Sequence, residues 1–140
     1  MFYLDTSVLV SALTNEPGST TVAAWLSKQD VNGLHISGWV VTEFSSALSI
    51  KVRTGVIDIV QRGAILAQFT QLAANSFVIL PVEATAFRTA ARFCDQPHLN
   101  LRAADALHLA ICAENGATIC TLDQGLGNAA PLVGVASVLL

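Results

Sequence analysis

At 140 residues the chain is long enough to bury a core of its own as one domain. A net charge of −3 excludes a protein that binds nucleic acid through overall basicity, while seven Lys and Arg residues still allow a local basic patch. Only 12% of residues are charged, about half the roughly 25% usual for soluble domains, so each remaining charge is informative.

In chain order, residues 1–4 are an expected strand, and residues 7–13 a helix stopped by Pro17-Gly18. Residues 20–29 form a second expected helix, with a turn at Asn32-Gly33. Residues 34–37 follow as a short strand and lead into a helix near residues 40–53. Residues 58–75 carry a long helical pattern, with Ile59, Ile65, Leu66, Phe69 and Leu72 at core positions. The β-branched and aromatic run 77–82 predicts a strand, and 84–94 a helix. A loop at 95–98 precedes a helix over 101–114, with Asn100 as its cap and Gly116 as its stop. Residues 117–122 and 135–139 complete the strands. Continuous apolar strands separated by helices predict a three-layer α/β/α fold with a mostly parallel central sheet, spanning 1–140 as a single domain.

Cys94, Cys112 and Cys120 have no CxxC spacing, and their odd number argues against a disulfide framework. They are expected to be small buried hydrophobes in a reducing cytoplasm. No basic-then-apolar leader precedes Asp5, so Met1 is the expected mature start. The longest uncharged stretch, 63–82, holds Gln68, Thr70, Gln71, Asn75, Ser76 and Pro81 and is too polar for a membrane span. A mean hydropathy of +0.58 points instead to helices covered on several sides, or to a buried subunit interface.

Ionisable side chains embedded in apolar sequence are costly unless something pairs with them. The chain repeats that pattern in MFYLDTSVLV, LRAADALHLAICA and ATICTLDQG. In parallel α/β sheets, ligands bind beyond the carboxyl ends of the strands. Asp5 ends the first strand, Asp123 ends the 117–122 strand, and Glu43 follows the 34–37 strand near the start of the next helix. Asp105 lies in the second turn of its expected helix, at the end that returns to the same rim. Taken singly, Asp5 could be a helix cap, Glu43 a solvated helix residue, and Asp123 a turn residue before Gln124-Gly125.

Asp105 resists such a reading best, because its helix stripe contains Leu101, Leu109 and Cys112. Arg102, three residues earlier, is its only local ionic partner. A cation in a first helical turn opposes the helix macrodipole, which points Arg102 toward a carboxylate or a phosphate. His108 is expected to be a satisfied, partly buried histidine, with metal ligation the lesser alternative because no second His is close in sequence. Arg88 and Arg92 are expected on a solvated face, and Tyr3, Trp25 and Trp39 in the core.

Four carboxylates without Cys or paired His suit a hard divalent cation, Mg²⁺ or Mn²⁺, rather than zinc. Rival readings fail on the neighbours of Asp5. A receiver-type phosphoacceptor wants a second acid beside it, and a haloacid dehalogenase wants one two residues on; here Leu4, Thr6 and Ser7 stand there. A dinucleotide-binding turn needs glycines that DTSVLV lacks.

Together, YLDTSVL, the acid of VVTEFSSAL and the segment LRAADALHLAICAENGATICTLD resemble the PIN-domain family, most closely the VapC-type toxins of bacterial toxin–antitoxin pairs. The resemblance runs through nearly the whole chain and sets the family's four acids on Asp5, Glu43, Asp105 and Asp123. It sets the family's hydroxyl neighbours on Thr6 and Thr121 and its basic residue on Arg102. What it implies is a cytoplasmic Mg²⁺-dependent endoribonuclease in which Mn²⁺ can substitute, homodimeric and silenced by a VapB-type antitoxin. In that reading Asp5, Asp105 and Asp123 hold the metal, and Glu43 helps bind a second ion or orients the attacking water. Thr6 and Thr121 fix carboxylates or touch phosphate, and Arg102 supports the third acid or the scissile phosphate. The alternative is a non-catalytic PIN-like scaffold that binds RNA or protein; loss of an acid would favour it, and all four are present.

Overall fold

Five short strands, rich in apolar and β-branched residues, alternate with seven helices in the computed structural model, which describes residues 1–140. The strands are β1 (Phe2–Leu4), β2 (Leu34–Ser37), β3 (Val78–Leu80), β4 (Thr118–Thr121) and β5 (Ser137–Leu139). They form one sheet in the order β3-β2-β1-β4-β5, and every pairing is parallel. Tyr3 lies opposite His35 on one side and Ile119 on the other. The helices are α1 (Thr6–Leu13), α2 (Ser19–Leu26), α3 (Gly38–Arg53), α4 (Ile59–Asn75), α5 (Ala84–Cys94), α6 (Ala103–Asn115) and α7 (Gln124–Ala129).

Parallel neighbours need crossover connections, and these are right-handed almost without exception. The chain runs outward from β1 through β2 to β3, then jumps back across β1 to β4 and β5. That reversal puts the helices before β3 on one face and those after it on the other. The packing agrees: α1 packs against α2, α3 and α4, whereas α5 packs against α6. With both faces covered, the central strands need no polar face, and Tyr3, Leu4, Ile36, Ile119 and Cys120 are sealed from water. The reversal also makes the β1–β4 junction the topological switch point, where a crevice opens beyond the strand ends.

Several boundaries shift from the sequence reading. Asn100 does not cap α6; it sits at φ 51° after a short 3₁₀ turn over Pro97–Leu99, and Arg102, in extended backbone, precedes the helix. Proline at the start of that turn, with Asn tolerating the left-handed region, ends one element before the next begins. The helix α7 was not expected, because Gly125 and Gly127 disguise it; Asp123 caps it rather than making a plain turn. Ile59 stands at the first position of α4, beyond the reach of the core, and is 66% exposed. Asp58 and Gln61 form a reciprocal capping box that starts that helix. Cys94, at the end of α5, is exposed, while Cys112 and Cys120 are buried, and all three are free thiols. Trp25 and Trp39 are only partly buried against the core, whereas Tyr3 is fully enclosed. No helix is long and apolar enough to cross a membrane.

Packing between α3 and α4 centres on Phe44 and Phe69, whose rings stack with centroids 4.2 Å apart. Phe44 has no exposed surface. Phe44→Ala is expected to lower the unfolding free energy by about 3–5 kcal/mol, whereas Ile59→Ala should change it by no more than about 0.5 kcal/mol. Urea titration of the two variants checks the contrast.

Candidate active site

The chain leaves β1 at Leu4, and Asp5 begins α1 as its cap. Its Oδ1 accepts the Val8 amide at 3.2 Å and the Ser7 hydroxyl at 2.6 Å; its Oδ2 accepts the Thr121 hydroxyl at 2.6 Å. About three of the roughly four acceptor positions of the carboxylate are thus filled. Thr121 ends β4, and its Oγ1 accepts the Asp123 amide at 2.9 Å. The Ser7 hydroxyl in turn accepts the Leu122 amide at 3.0 Å. The ends of β1 and β4 are therefore laced together through one buried acid and two hydroxyls. Asp5 is only 4% exposed, and burial pushes its carboxyl above the usual range against the pull of these hydrogen bonds.

Asp123 accepts the Leu126 amide at 2.9 Å as the cap of α7. Gly125 follows closely, and a Cβ there would lie 3.1 Å from Asp123 Oδ1, so a side chain at that position would crowd the acid. Asp105 lies in the first turn of α6, immediately before the unbroken buried run Ala106 to Cys112. Desolvation raises its pKa, the Arg102 backbone amide opposes the rise, and Asp123 and Glu43 add to it by repulsion. Asp105 and Asp123 line one cavity of about 400 Å³, with Arg102 on its wall.

Glu43 is partly exposed on α3. Its Oε2 accepts the Thr6 hydroxyl at 2.6 Å and meets His108 Nε2 at 2.6 Å. Desolvation disfavours its charge, but His108 and Thr6 outweigh that and hold it below the usual carboxylate range. His108 is buried, and its Nδ1 lies 2.9 Å from the Tyr3 hydroxyl.

The seven residues singled out from sequence thus fall into three groups. Asp5, Thr121 and Asp123 lie around the β1–β4 junction, Thr6 and Glu43 are bonded to each other beside it, and Arg102 and Asp105 share the cavity with Asp123. The Arg102–Asp105 ion pair that the spacing allowed is absent: the close pair between a basic side chain and a carboxylate is Lys51–Glu16, and Glu43 meets the His108 ring. Arg102 precedes the helix in extended backbone, so the helical three-residue spacing does not bring its side chain to Asp105. Ser7, Tyr3 and His108 join the site's hydrogen bonds without having been singled out for it. The hydroxyl pair in DTS and a tyrosine inside an apolar strand were the available signals.

No three His, Cys, Asp or Glu side chains close into a ready-made cation cage. The donor set nonetheless fits a hard cation. Asp105 and Asp123 offer carboxylate oxygens into a shared polar cavity, and Mg²⁺ is commonly held by one or two carboxylates, retained water and substrate phosphate.

The chain belongs to the PIN-domain family, whose model matches residues 2–131. None of the curated proteins matches it in sequence. Its fold is shared with toxin–antitoxin proteins of known structure. FitAcB from Neisseria gonorrhoeae superposes with a TM-score of 0.77 at 22% identity, over 98% of this chain and 96% of that one. VapC20 of Mycobacterium tuberculosis, a sarcin–ricin loop cleaving toxin, gives 0.76 at 14% identity over 100% of both chains. VapBC2 from Rickettsia felis, bound to a DNA fragment from its promoter, gives 0.70 at 19% identity, over 100% of this chain and 99% of that one.

The opposite shifts of Asp105 and Glu43 make the pH dependence of stability testable. A raised folded-state pKa means that the folded chain holds its proton more tightly, so the stability it contributes is present at low pH and lost as pH rises. In EDTA, Asp105→Asn should therefore raise the melting temperature at pH 7, with the gain shrinking toward pH 4. Glu43→Gln should do the reverse, losing roughly 1–2 kcal/mol at pH 7, a loss that fades as pH falls below the usual glutamate range. Thermal melts across pH check both signs.

Proposed function

We propose that this chain, acting as one PIN domain over its 140 residues, is a Mg²⁺-dependent endoribonuclease and the toxin of a VapBC-type pair. The observation that carries the reading is a polar cavity lined by Asp105, Asp123 and Arg102 beside the switch point of a PIN fold, with Asp5 at the end of β1 and Glu43 bonded to its neighbour Thr6. Hydrolysis of a phosphodiester needs an oriented water and compensation of charge on the phosphoryl oxygens. Arg102, exposed on the cavity wall, is free to meet the scissile phosphate. Glu43 keeps Oε1 clear of the bonds that fix Oε2, so that oxygen can orient the attacking water or meet a second ion. Thr6 and Thr121 hold Glu43 and Asp5 in place. Asp5, Asp105 and Asp123 would hold Mg²⁺ or Mn²⁺, which would supply charge neutralisation and a bound water of lowered pKa.

RNA as substrate is supported by the sarcin–ricin loop cleaving activity of VapC20, and an antitoxin partner by the VapBC2 assembly. A cytoplasmic location accords with three free cysteines. Homodimerisation is supported by an all-hydrophobic cavity of about 480 Å³ bordered by Trp39 and Phe87, the latter 55% exposed.

The test is purified protein on defined tRNA, rRNA and mRNA, with and without Mg²⁺ or Mn²⁺, with end mapping of products. Asp5→Asn and Asp105→Asn should each lower cutting by roughly 10²-fold or more while the protein stays folded. Undiminished cutting in excess EDTA, or by either folded variant, would overturn the proposal. Light scattering at micromolar concentration should give at least a dimer, and a clean monomer would remove that part of the reading.

A further inference from the structure

A buried histidine is ordinarily satisfied by backbone, as His35 is by the Gly33 carbonyl at 3.1 Å. His108 is different, because both ring nitrogens are committed to side chains and one of these is an acid of the candidate site. The ring lies one turn beyond Asp105 on α6, 3% exposed, between β1 and α3. Its Nε2 is 2.6 Å from Glu43 Oε2, its Nδ1 is 2.9 Å from the Tyr3 hydroxyl, and that hydroxyl is 2.8 Å from Ser37 Oγ. Tyr3 and Ser37 have no exposed surface, so neither can turn to water instead.

The direction of these bonds follows from donor chemistry. An ionised carboxylate only accepts, so Nε2 must carry the hydrogen. In the neutral ring Nδ1 is then bare and accepts from Tyr3, whose oxygen accepts from Ser37. Burial raises the Tyr3 pKa, keeping the phenol protonated for that donation. A one-way chain therefore runs Ser37→Tyr3→His108→Glu43, drawing on β2, β1, α6 and α3 in turn. With the Thr6 hydroxyl also on Oε2, both acceptor positions of that oxygen are filled and Oε1 is the one left for chemistry.

We propose that His108 is the positioning residue of Glu43: its Nε2–H fixes Oε2 and turns Oε1 toward the reacting groups, while Tyr3 and Ser37 hold the ring in the Nε2-protonated tautomer. The role rests on the nuclease reading above, but the tautomer does not.

Two arms separate them. In the first, ¹⁵N NMR of the intact metal-free protein reads the tautomer at neutral pH. His108 should carry hydrogen on Nε2 alone, and Tyr3→Phe should weaken that preference. Hydrogen on Nδ1, or on both nitrogens, would overturn the proposal even if no RNA is ever cut. In the second arm, His108→Gln sets an amide donor near the Nε2 position, whereas His108→Asn reaches only as far as Nδ1. His108→Gln should keep kcat within about threefold, and His108→Asn should lose roughly 10- to 100-fold in kcat with little change in KM. In a Glu43→Ala background, His108→Asn should cause no further loss. Equal losses in the Gln and Asn variants, or an Asn loss that persists without Glu43, would show a merely structural histidine. Absence of any cutting by the wild-type chain would count against the nuclease reading and leave the NMR arm decisive for His108.

Discussion

Enclosing a carboxylate between the ends of two strands is unfavourable unless its oxygens are met by donors, and the centre of this molecule is arranged around that demand. Asp5 is met by Ser7, Val8 and Thr121, and each of those partners has a second task. The Val8 bond is also the cap of α1, Ser7 receives Leu122 from the loop after β4, and Thr121 receives Asp123. The position of Asp123, and through it the start of α7, is thus inherited from the solvation of Asp5. Fold and site share one set of bonds here, so a change that disturbs one disturbs the other.

The acids around this junction divide by environment rather than by type. Asp5 and Asp105 are pushed toward their neutral forms, the first by burial against satisfied bonds, the second by burial with like charges nearby. Glu43, by contrast, has an imidazole and a hydroxyl aimed at one oxygen and is held ionised. One anion is thus secured by the protein, and the others are left short of positive charge. Arg102 is the protein's own cation beside that deficit, and it lies exposed rather than locked to either aspartate.

Much of this was legible in the residues, for physical reasons that differ from place to place. The strands could be read because a sheet covered on both faces leaves unbroken apolar runs such as those around Tyr3 and Ile119. Asp105 stood out because the helix behind it has no polar face, and that helix is buried without interruption from Ala106 to Cys112. The α7 helix was hidden, since glycines at 125 and 127 lower helix propensity, and its start rests on the Asp123 cap and its packing on β4 and β5. The role of His108 could not be read either. Its partners are 105 and 65 residues away, and no local pattern encodes a pairing across such distances. The Arg102–Asp105 spacing, which left an ion pair open as the local alternative, is a helical spacing, and the helix begins one residue after the arginine.

The place of β1 at the middle of the sheet also fixes when the molecule can become itself during synthesis. Its residues are made well before β4, their neighbour on one side, and Asp5 and Thr121 are 116 positions apart. Contacts of such separation form late, because the closure entropy of the intervening chain opposes them until both ends are present. A nascent chain on the ribosome therefore carries Asp5 without its Thr121 donor and without Asp123 beside it, and the site does not exist until β4 has emerged. The topology thus acts as a delay line: Asp5 and Asp123 are linked through Thr121 only after β4, the neighbour of β1 in the sheet order, has been made.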